Sequence, residues 1–386
     1  MMKKRRKITC ITGTRADYPR VKSVLREIIN RQNLDLSLIV TGSHLLHDYG
    51  YSAQEIIDDG FEIDREVEIF IGDYDSPKGM ALSAARCTEG IANALSELNP
   101  DIVLLTVDRV ETLAAAVAVC LMNFPIAHIQ GGEVTGTIDE SIRHAVTKMS
   151  HIHFPATKDA AERIIRMGED SEMVFNVGCP YIDIINSVQK KSKEDLSKEY
   201  GFSNIRKLII FTQHPVTTEY GSSLEQIKIT LKALGLFKDC QVVAFASNTD
   251  AGGREIIKAV KSEKNFVQIS NMKSSDFLSL MSCADLMIGN SSAAIREAPS
   301  FHLPAINIGT RQQGRLRAEN VIDVDNDEKQ IINAIKTGLY DQAFIGKVNK
   351  TKNPYGDGKS ANRIVDILEK ISINDNLIQK RISYEL

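Results

Sequence analysis

The sequence predicts an α/β protein made of two Rossmann-like, doubly wound domains facing a cleft. Three observations carry that expectation. Short apolar runs alternate with helical patterns along the chain. The runs are apolar on both faces, as suits strands of a parallel sheet covered by helices on each side. The alternation breaks once, near residues 187 to 200, in the charged stretch "SVQKKSKEDLSKEYG", and then restarts. At 386 residues the chain is too long for one core and suits two domains.

Taken in order, the first half offers "KITCITG", "LSLIVTG", "DIVLLTVD", "PIAHIQGG", "IHFPAT" and "MVFNVG" as strands. Between them lie the helical stretches "VKSVLREII", "GMALSAARCTEGIANALSEL" and "ETLAAAVAVCLM". The second half repeats the rhythm with "KLIIFTQHP", "QVVAFASN", "FVQIS", "DLMIGNSS", "PAINIGT" and "VIDVD". The expected division is one domain over 1–187, a second over 204–366, and a tail over 367–386 packing back on the first domain. Two such units in tandem leave a cleft between the carboxyl ends of two sheets, where folds of this kind bind ligands.

Bulk composition excludes several classes. A chain that is 43% hydrophobic and 25% charged is globular rather than disordered. A net charge of −3 provides no field for nucleic acid or an anionic membrane. No apolar stretch is long enough to span a bilayer, and the basic start, Lys3 to Lys7, lacks the features of a signal peptide, so a cytoplasmic protein is expected. Six dispersed cysteines without a C-x-x-C pair read as buried thiols. His151 and His153 share a strand face, but no further ligand stands at metal spacing, so no metal is expected. Neither a Walker A sequence nor a G-x-G-x-x-G fingerprint occurs, which disfavours nucleotide triphosphate hydrolysis and dinucleotide binding.

Several constellations sit where strands end. "TGTRADY" offers the backbone amides of a strand-to-helix turn and the fork of Arg15 to an anion; the alternative is an arginine on a solvated turn. In "IGNSSAAIREA", Ser291 and Ser292 at a helix start suit a diphosphate, and Glu297 stands where it could accept from ribose hydroxyls. An N-cap with an exposed glutamate is the plainer alternative there. "GTRQQGR" adds Arg311 and Arg315. His214, closing a strand in "FTQHPVTTE", is an acid, a base, a diphosphate donor or a structural group. Asp108 and Arg109 close "IVLLTVDR", as a strand cap or as cleft residues.

The densest stretch is "AHIQGGEVTGTIDESIRHAVTKMSHIHF". On a helix from 138 to 150, Ile138, Ile142, Ala145 and Met149 fall within about 60° of each other and form the expected buried stripe. Asp139 and Arg143 flank it about 40° apart and are expected to address one ligand together. His144 lies roughly 140° around from Asp139 and is expected to support the site from behind. Gly131 and Gly132 would let the backbone beside Glu133 approach a ligand closely. Helix N-terminal charge is the plainer reading of Glu133 and Asp139.

With "TGSHLLHDYG", "QHPVTTE", "NTDAGGREI", "INIGTRQQGR" and "YGDGKSANRI" added, the chain resembles the hydrolysing UDP-N-acetylglucosamine 2-epimerases, in their sialic-acid-pathway branch. The matching stretches run from residue 12 to residue 364 in the family's order. The resemblance implies a GT-B-like pair of domains, a nucleotide-sugar substrate, no cofactor, and a homodimer or homotetramer. It implies release of UDP with a free sugar of the N-acetylmannosamine type, the first domain handling sugar and the second nucleotide. Arg15, Ser291, Ser292 and Arg311 would hold the diphosphate, with Arg109 near it and Glu297 on the ribose. Asp108, Asp139, Arg143 and His214 would line the reacting sugar, with Glu133 close by and Gln130, Gly131 and Gly132 bordering its pocket.

Three positions depart from the family. Thr106-Val107 precede Asp108 where a glycine is usual, Gln130 replaces a glutamate, and Pro19 follows "RADY". Valine does not comfortably take φ > 0. Gln130 cannot exchange a proton near neutral pH, so any acid or base work there must pass to Glu133, Asp139 or water, or activity is reduced.

Inverting C2 without a redox cofactor requires loss of the C2 proton coupled to departure of the diphosphate, giving a glycal. Water then adds at C1 while C2 is protonated on the other face. Each donor on the leaving diphosphate is worth about 3 kcal/mol in a dry site. Asp108 and Asp139 are the expected acid/base pair, their order open, with His214 assisting. UDP- or GDP-linked N,N′-diacetylbacillosamine is an alternative donor, as used toward legionaminic acid. A nucleotide-sugar-binding protein with impaired catalysis is another reading, on the strength of Gln130 and Val107.

Overall fold

The computed structural model describes residues 5–15, 17–47, 50–72, 74, 77–135, 138–219, 221–247, 253–269 and 272–384. Among these, the strands form two six-stranded parallel sheets. The first contains β1 (Arg6–Thr12), β2 (Leu34–Thr41), β3 (Arg65–Val67), β4 (Ile102–Thr106), β5 (Ile126–Ile129) and β6 (Ile152–Phe154), in the order β3-β2-β1-β4-β5-β6. The second contains β7 (Lys207–Thr212), β8 (Cys240–Phe245), β9 (Val267–Ile269), β10 (Leu286–Gly289), β11 (Ala305–Ile308) and β12 (Val321–Val324), in the order β12-β11-β10-β7-β8-β9. This is the expected pair of doubly wound sheets. Each reverses its strand order beside its first strand, between β1 and β4 and between β7 and β10. At such a switch point the connections diverge to opposite faces and open a ligand crevice.

The apolar runs do their expected work. In β4, Ile102 and Leu104 face one buried cluster while Val103 and Leu105 face another, so both faces of the strand are dry. No helix of the described residues is long and apolar enough to cross a membrane.

Three segments differ from expectation. "MVFNVG" is not a strand; it makes a single bridge, Val174 to His153. Phe175 N–H donates to the His153 carbonyl and Val177 N–H to the Pro155 carbonyl. The return bond of a parallel ladder would come from residue 155, and proline has no N–H to give. Conversely β3 was not expected, because of its three residues only Val67 is buried and no apolar run marks it. The charged connector contains a solvated helix, Lys193–Tyr200, capped by Ser192 and ended by Gly201 in the left-handed conformation, with Leu196 its one buried residue.

The chain divides into two compact units. One comprises Met1–Glu133, Ile138–Ile184 and Tyr355–Leu386; the other Val134–Thr137 and Ile185–Pro354. The chain thus leaves the second unit at Pro354, ahead of the boundary expected at 366. Ile364, Val365 and Leu368 give the helix Ser360–Lys370 an apolar stripe, and that stripe is buried with Val24, Leu25 and Ile28 of the helix Lys22–Asn30.

Candidate functional site

In the first unit the titratable residues gather after β1, β4 and β5. Val107, the residue after β4, adopts φ +59°, a conformation rarely open to a β-branched residue. Such strain costs about 1–3 kcal/mol and persists only where the surroundings hold it. Here Val107 N–H donates to the Ile129 carbonyl at 3.1 Å. Its own carbonyl lies 2.8 Å from His128 Nε2. Burial keeps His128 neutral, its pKa brought down to about 4. The turn that a glycine would make easily is therefore made by valine under constraint.

That turn delivers Asp108 to Arg143. Arg143 is 1% exposed, pairs with Asp108, and donates to the Glu133 carbonyl at 2.8 Å and to Glu140 Oε2 at 2.9 Å. Burial opposes its charge, but Asp108, Glu133 and Glu140 more than offset it and raise its pKa. This corrects two expectations. Ile138 is 62% exposed, and the inward stripe of the helix Asp139–Met149 is Ile142, Arg143, Val146 and Thr147. Arg143 is inside because an acid from another strand end neutralises it there, so it braces Asp108 and the Glu133 backbone instead of sharing a ligand with Asp139. Asp139 instead faces Arg109, 3.9 Å away, with both side chains partly exposed. Glu140, which also meets His144 Nε2 at 3.0 Å, was missed; its i, i+3 and i, i+4 spacing to Arg143 and His144 was the available signal.

The glycine pair has a different explanation from the one expected. A Cβ on Gly132, at φ +74°, would fall 2.3 Å from the Ala160 carbonyl oxygen, and one on Gly131 would fall 2.9 Å from His128 Nδ1. Both glycines admit the protein's own atoms. Gln130, at φ +66° and 2% exposed, turns its amide into the interior, where Nε2 donates to Cys179 Sγ at 2.7 Å. Glu133 is also buried.

"TGTRADY" is corrected as well. The amides of Gly13 and Thr14 donate to the Asp17 carboxylate at 2.9 and 2.7 Å, so they are spent within the turn. Arg15 is exposed. Nor do His151 and His153 act as a pair. His151 Nδ1 accepts from Ile126 N–H at 3.0 Å, whereas His153 Nε2 meets Glu169, which also binds Lys148 and Lys380.

In the second unit the crevice between β7 and β10 is built around Asn290. Gly289, at φ +134°, lies so close to β7 that a Cβ would fall 1.9 Å from the Thr212 carbonyl oxygen. Asn290 Oδ1 accepts from His214 N–H at 2.7 Å, and its Nδ2 donates to the His214 carbonyl at 2.8 Å. Arg311 and Gln312 donate to the Asn290 carbonyl at 3.2 and 2.9 Å. Burial and the Arg311 charge bring the His214 pKa down to about 3, so the imidazole is neutral. Ser291 and Ser292 are half-buried and lead into a helix of only four residues, Ala293–Arg296, too short for much of a dipole. Glu297 is 4% exposed, against the exposed glutamate of the plainer alternative. Asn290 was missed because its partners are backbone groups, which leave no mark in side-chain spacing.

A family model described as UDP-N-acetylglucosamine 2-epimerase matches residues 26–369. The hydrolysing UDP-N,N′-diacetylbacillosamine 2-epimerase of Legionella pneumophila is 37% identical over 98% of this chain and 100% of its own. The UDP-N-acetylglucosamine 2-epimerase of Neisseria meningitidis serogroup B is 35% identical over 86% of this chain and 87% of its own. Among solved structures, a Neisseria meningitidis UDP-GlcNAc 2-epimerase bound to UDP-GlcNAc aligns with TM-score 0.84 at 20% identity, covering 95% of this chain and 100% of that one, a likeness of fold.

Proposed function

The chain belongs to the UDP-N-acetylglucosamine 2-epimerase family and is an enzyme of the hydrolysing 2-epimerase type; we propose that its donor is a UDP-linked 2-acetamido sugar, released as UDP and the free 2-epimer. The observation that carries the reading is the arrangement after β4 and β5. There Asp108, fixed by buried Arg143, and Asp139, accessible beside Arg109, are carboxylates suited to a reacting sugar. One of them accepts the C2 proton as the C1–O bond breaks and UDP departs with its electron pair. Arg311, Ser291 and Ser292 are assigned to the diphosphate, as are Arg15 and Arg109, and Glu297 to the ribose. His214, a neutral imidazole, donates a hydrogen bond instead of a charge.

UDP-N,N′-diacetylbacillosamine is the second donor reading, favoured by the Legionella relative that matches along nearly the whole chain. A binding protein without catalysis loses one of its supports, since Val107 makes the left-handed turn despite its branch. A cytoplasmic setting is supported by six free thiols.

Both donors, incubated separately with the enzyme in deuterated water, separate these readings by NMR. The true donor gives UDP and a free 2-epimer carrying deuterium at C2. Return of a nucleotide-linked epimer, or no turnover of either, would count against the proposal.

A further inference from the structure

Glu111 has no part in the chemistry assigned so far. It lies in the first turn of the helix Val110–Leu121, three residues beyond Asp108, and is 7% exposed. Its side chain crosses the carboxyl ends of β1 and β2. A Cβ on Gly13 would fall 2.8 Å from Glu111 Cβ, and one on Gly42 would fall 2.9 Å from Glu111 Oε1. Glycine at both strand ends leaves the room that this carboxyl occupies, inside the crevice where the strand order reverses between β1 and β4.

Its surroundings set it apart from the other acids of that crevice. Asp108 is paired with Arg143, Asp139 faces Arg109, and Asp17 is bonded to two backbone amides. Glu111 makes no ion pair among the described residues. Burial raises its pKa, the Arg109 charge opposes that rise, and Asp17 and Asp139 add to it. Glu111 thus keeps a proton to higher pH than a solvated glutamate does. The reaction needs such a group. The carboxamide of Gln130 has no proton to transfer and is turned towards Cys179.

We infer that Glu111 is the acid that returns a proton to C2 in the hydration half of the reaction. The inference rests on the 2-epimerase reading. In the first half the C2–H bond breaks, its proton goes to one of Asp108 and Asp139, and its electron pair becomes the C1–C2 π bond. The C1–O bond breaks with its pair on UDP. In the second half the π pair takes the Glu111 proton at C2, and water bonds to C1. The proton of that water passes to the Glu111 carboxylate, while the aspartic acid formed earlier loses its proton to solvent. Charge and atoms balance with no oxidant or reductant.

Glu111→Gln keeps the shape and removes the proton. Wild-type turnover of a UDP-linked donor is measured first; its absence would speak against the function and leave Glu111 aside. Given turnover, the variant should release UDP with the unsaturated glycal accumulating, while free epimer falls about 10²–10⁴-fold, the usual worth of a positioned acid. Free epimer within threefold of wild type would overturn the inference. So would equal loss of glycal and epimer, the mark of a structural role. If Glu111→Gln does not fold, Glu111→Asp, which keeps an acid but shortens its reach, is read by the same split.

Discussion

At the carboxyl end of the first sheet stand Asp17, Asp108, Glu111, Glu133 and Asp139, with Arg109 and Arg143 among them. At the corresponding end of the second stand His214, Asn290, Ser291, Ser292 and Gln312, with Arg311. Both sheets have the same strand order and both pinch a glycine at a strand end. What differs is the chemistry placed on them. Carboxyls held in different surroundings, Asp108 against buried Arg143 and Glu111 buried without an ion pair among the described residues, suit proton transfer at carbon. Neutral donors with an arginine, and a histidine kept uncharged, suit an anion that must be released after each turnover. We propose that one scaffold used twice divides the labour, so that each half can be broken separately.

The largest expected effect is on the chemical step. Asp108→Asn should lower kcat about 10²–10⁴-fold, measured by UDP release under saturating donor, with UDP affinity unchanged. Next comes Arg143→Met, which removes the buried partner of the partly exposed Asp108 and Glu140. Denaturant unfolding should show a loss of about 1–3 kcal/mol, the cost of leaving hydrogen-bonding groups without their partner. A cost under about 1 kcal/mol would mean that Arg143 does not brace the first unit. In the second unit, Arg311→Ala should weaken UDP binding about 10–100-fold by calorimetry, as loss of a charge-assisted contact does.

A separate effect is on stability against pH. His128, His151 and His214 have folded pKa values near 4, 4 and 3, lowered by burial first in each case. The unfolded chain binds these protons near pH 6.5, so stability is full above that pH and falls as pH drops towards 4. For His128, which is wholly buried, the fall is of the order of 1–3 kcal/mol. Glu169 is a separate case. Despite burial, His153, Lys148 and Lys380 hold it down to about 2, so its contribution is present above pH 4.5 and fades only as pH falls towards 2. Melting temperatures from pH 7.5 to 4.5 test the histidine window. A flat profile would contradict the neutral, buried imidazoles, two of which lie in the first unit.

The same contrast explains what could be seen in the sequence. Strands with two or more apolar residues announce themselves as apolar runs, so eleven of the twelve were legible; β3, Arg65-Glu66-Val67, carries a single apolar residue and was not. Residue types at strand ends were legible too, because turns carry the polar groups. Their orientations were not. Asp139 and Arg143 do share a helical arc, but periodicity cannot say that Asp108 arrives from another strand to draw Arg143 inside. Gln130 turns to Cys179, 49 residues away, and Asp17 takes up the very amides that an anion would need. Long-range pairing decides direction, and local pattern does not record it.

The measurement that tests this division of labour most directly is UDP affinity and C2 deuteration, taken together on wild type, Asp108→Asn, Asp139→Asn and Arg311→Ala. Both aspartate variants should bind UDP as tightly as wild type, and the one that removes the C2 base should incorporate almost no deuterium. Arg311→Ala should bind UDP weakly and, once saturated, exchange about 10²-fold more slowly, because the donor that binds the diphosphate also stabilises its departure. If the aspartate variants lose UDP affinity as Arg311→Ala does, the two sheets do not divide the work and the account is wrong.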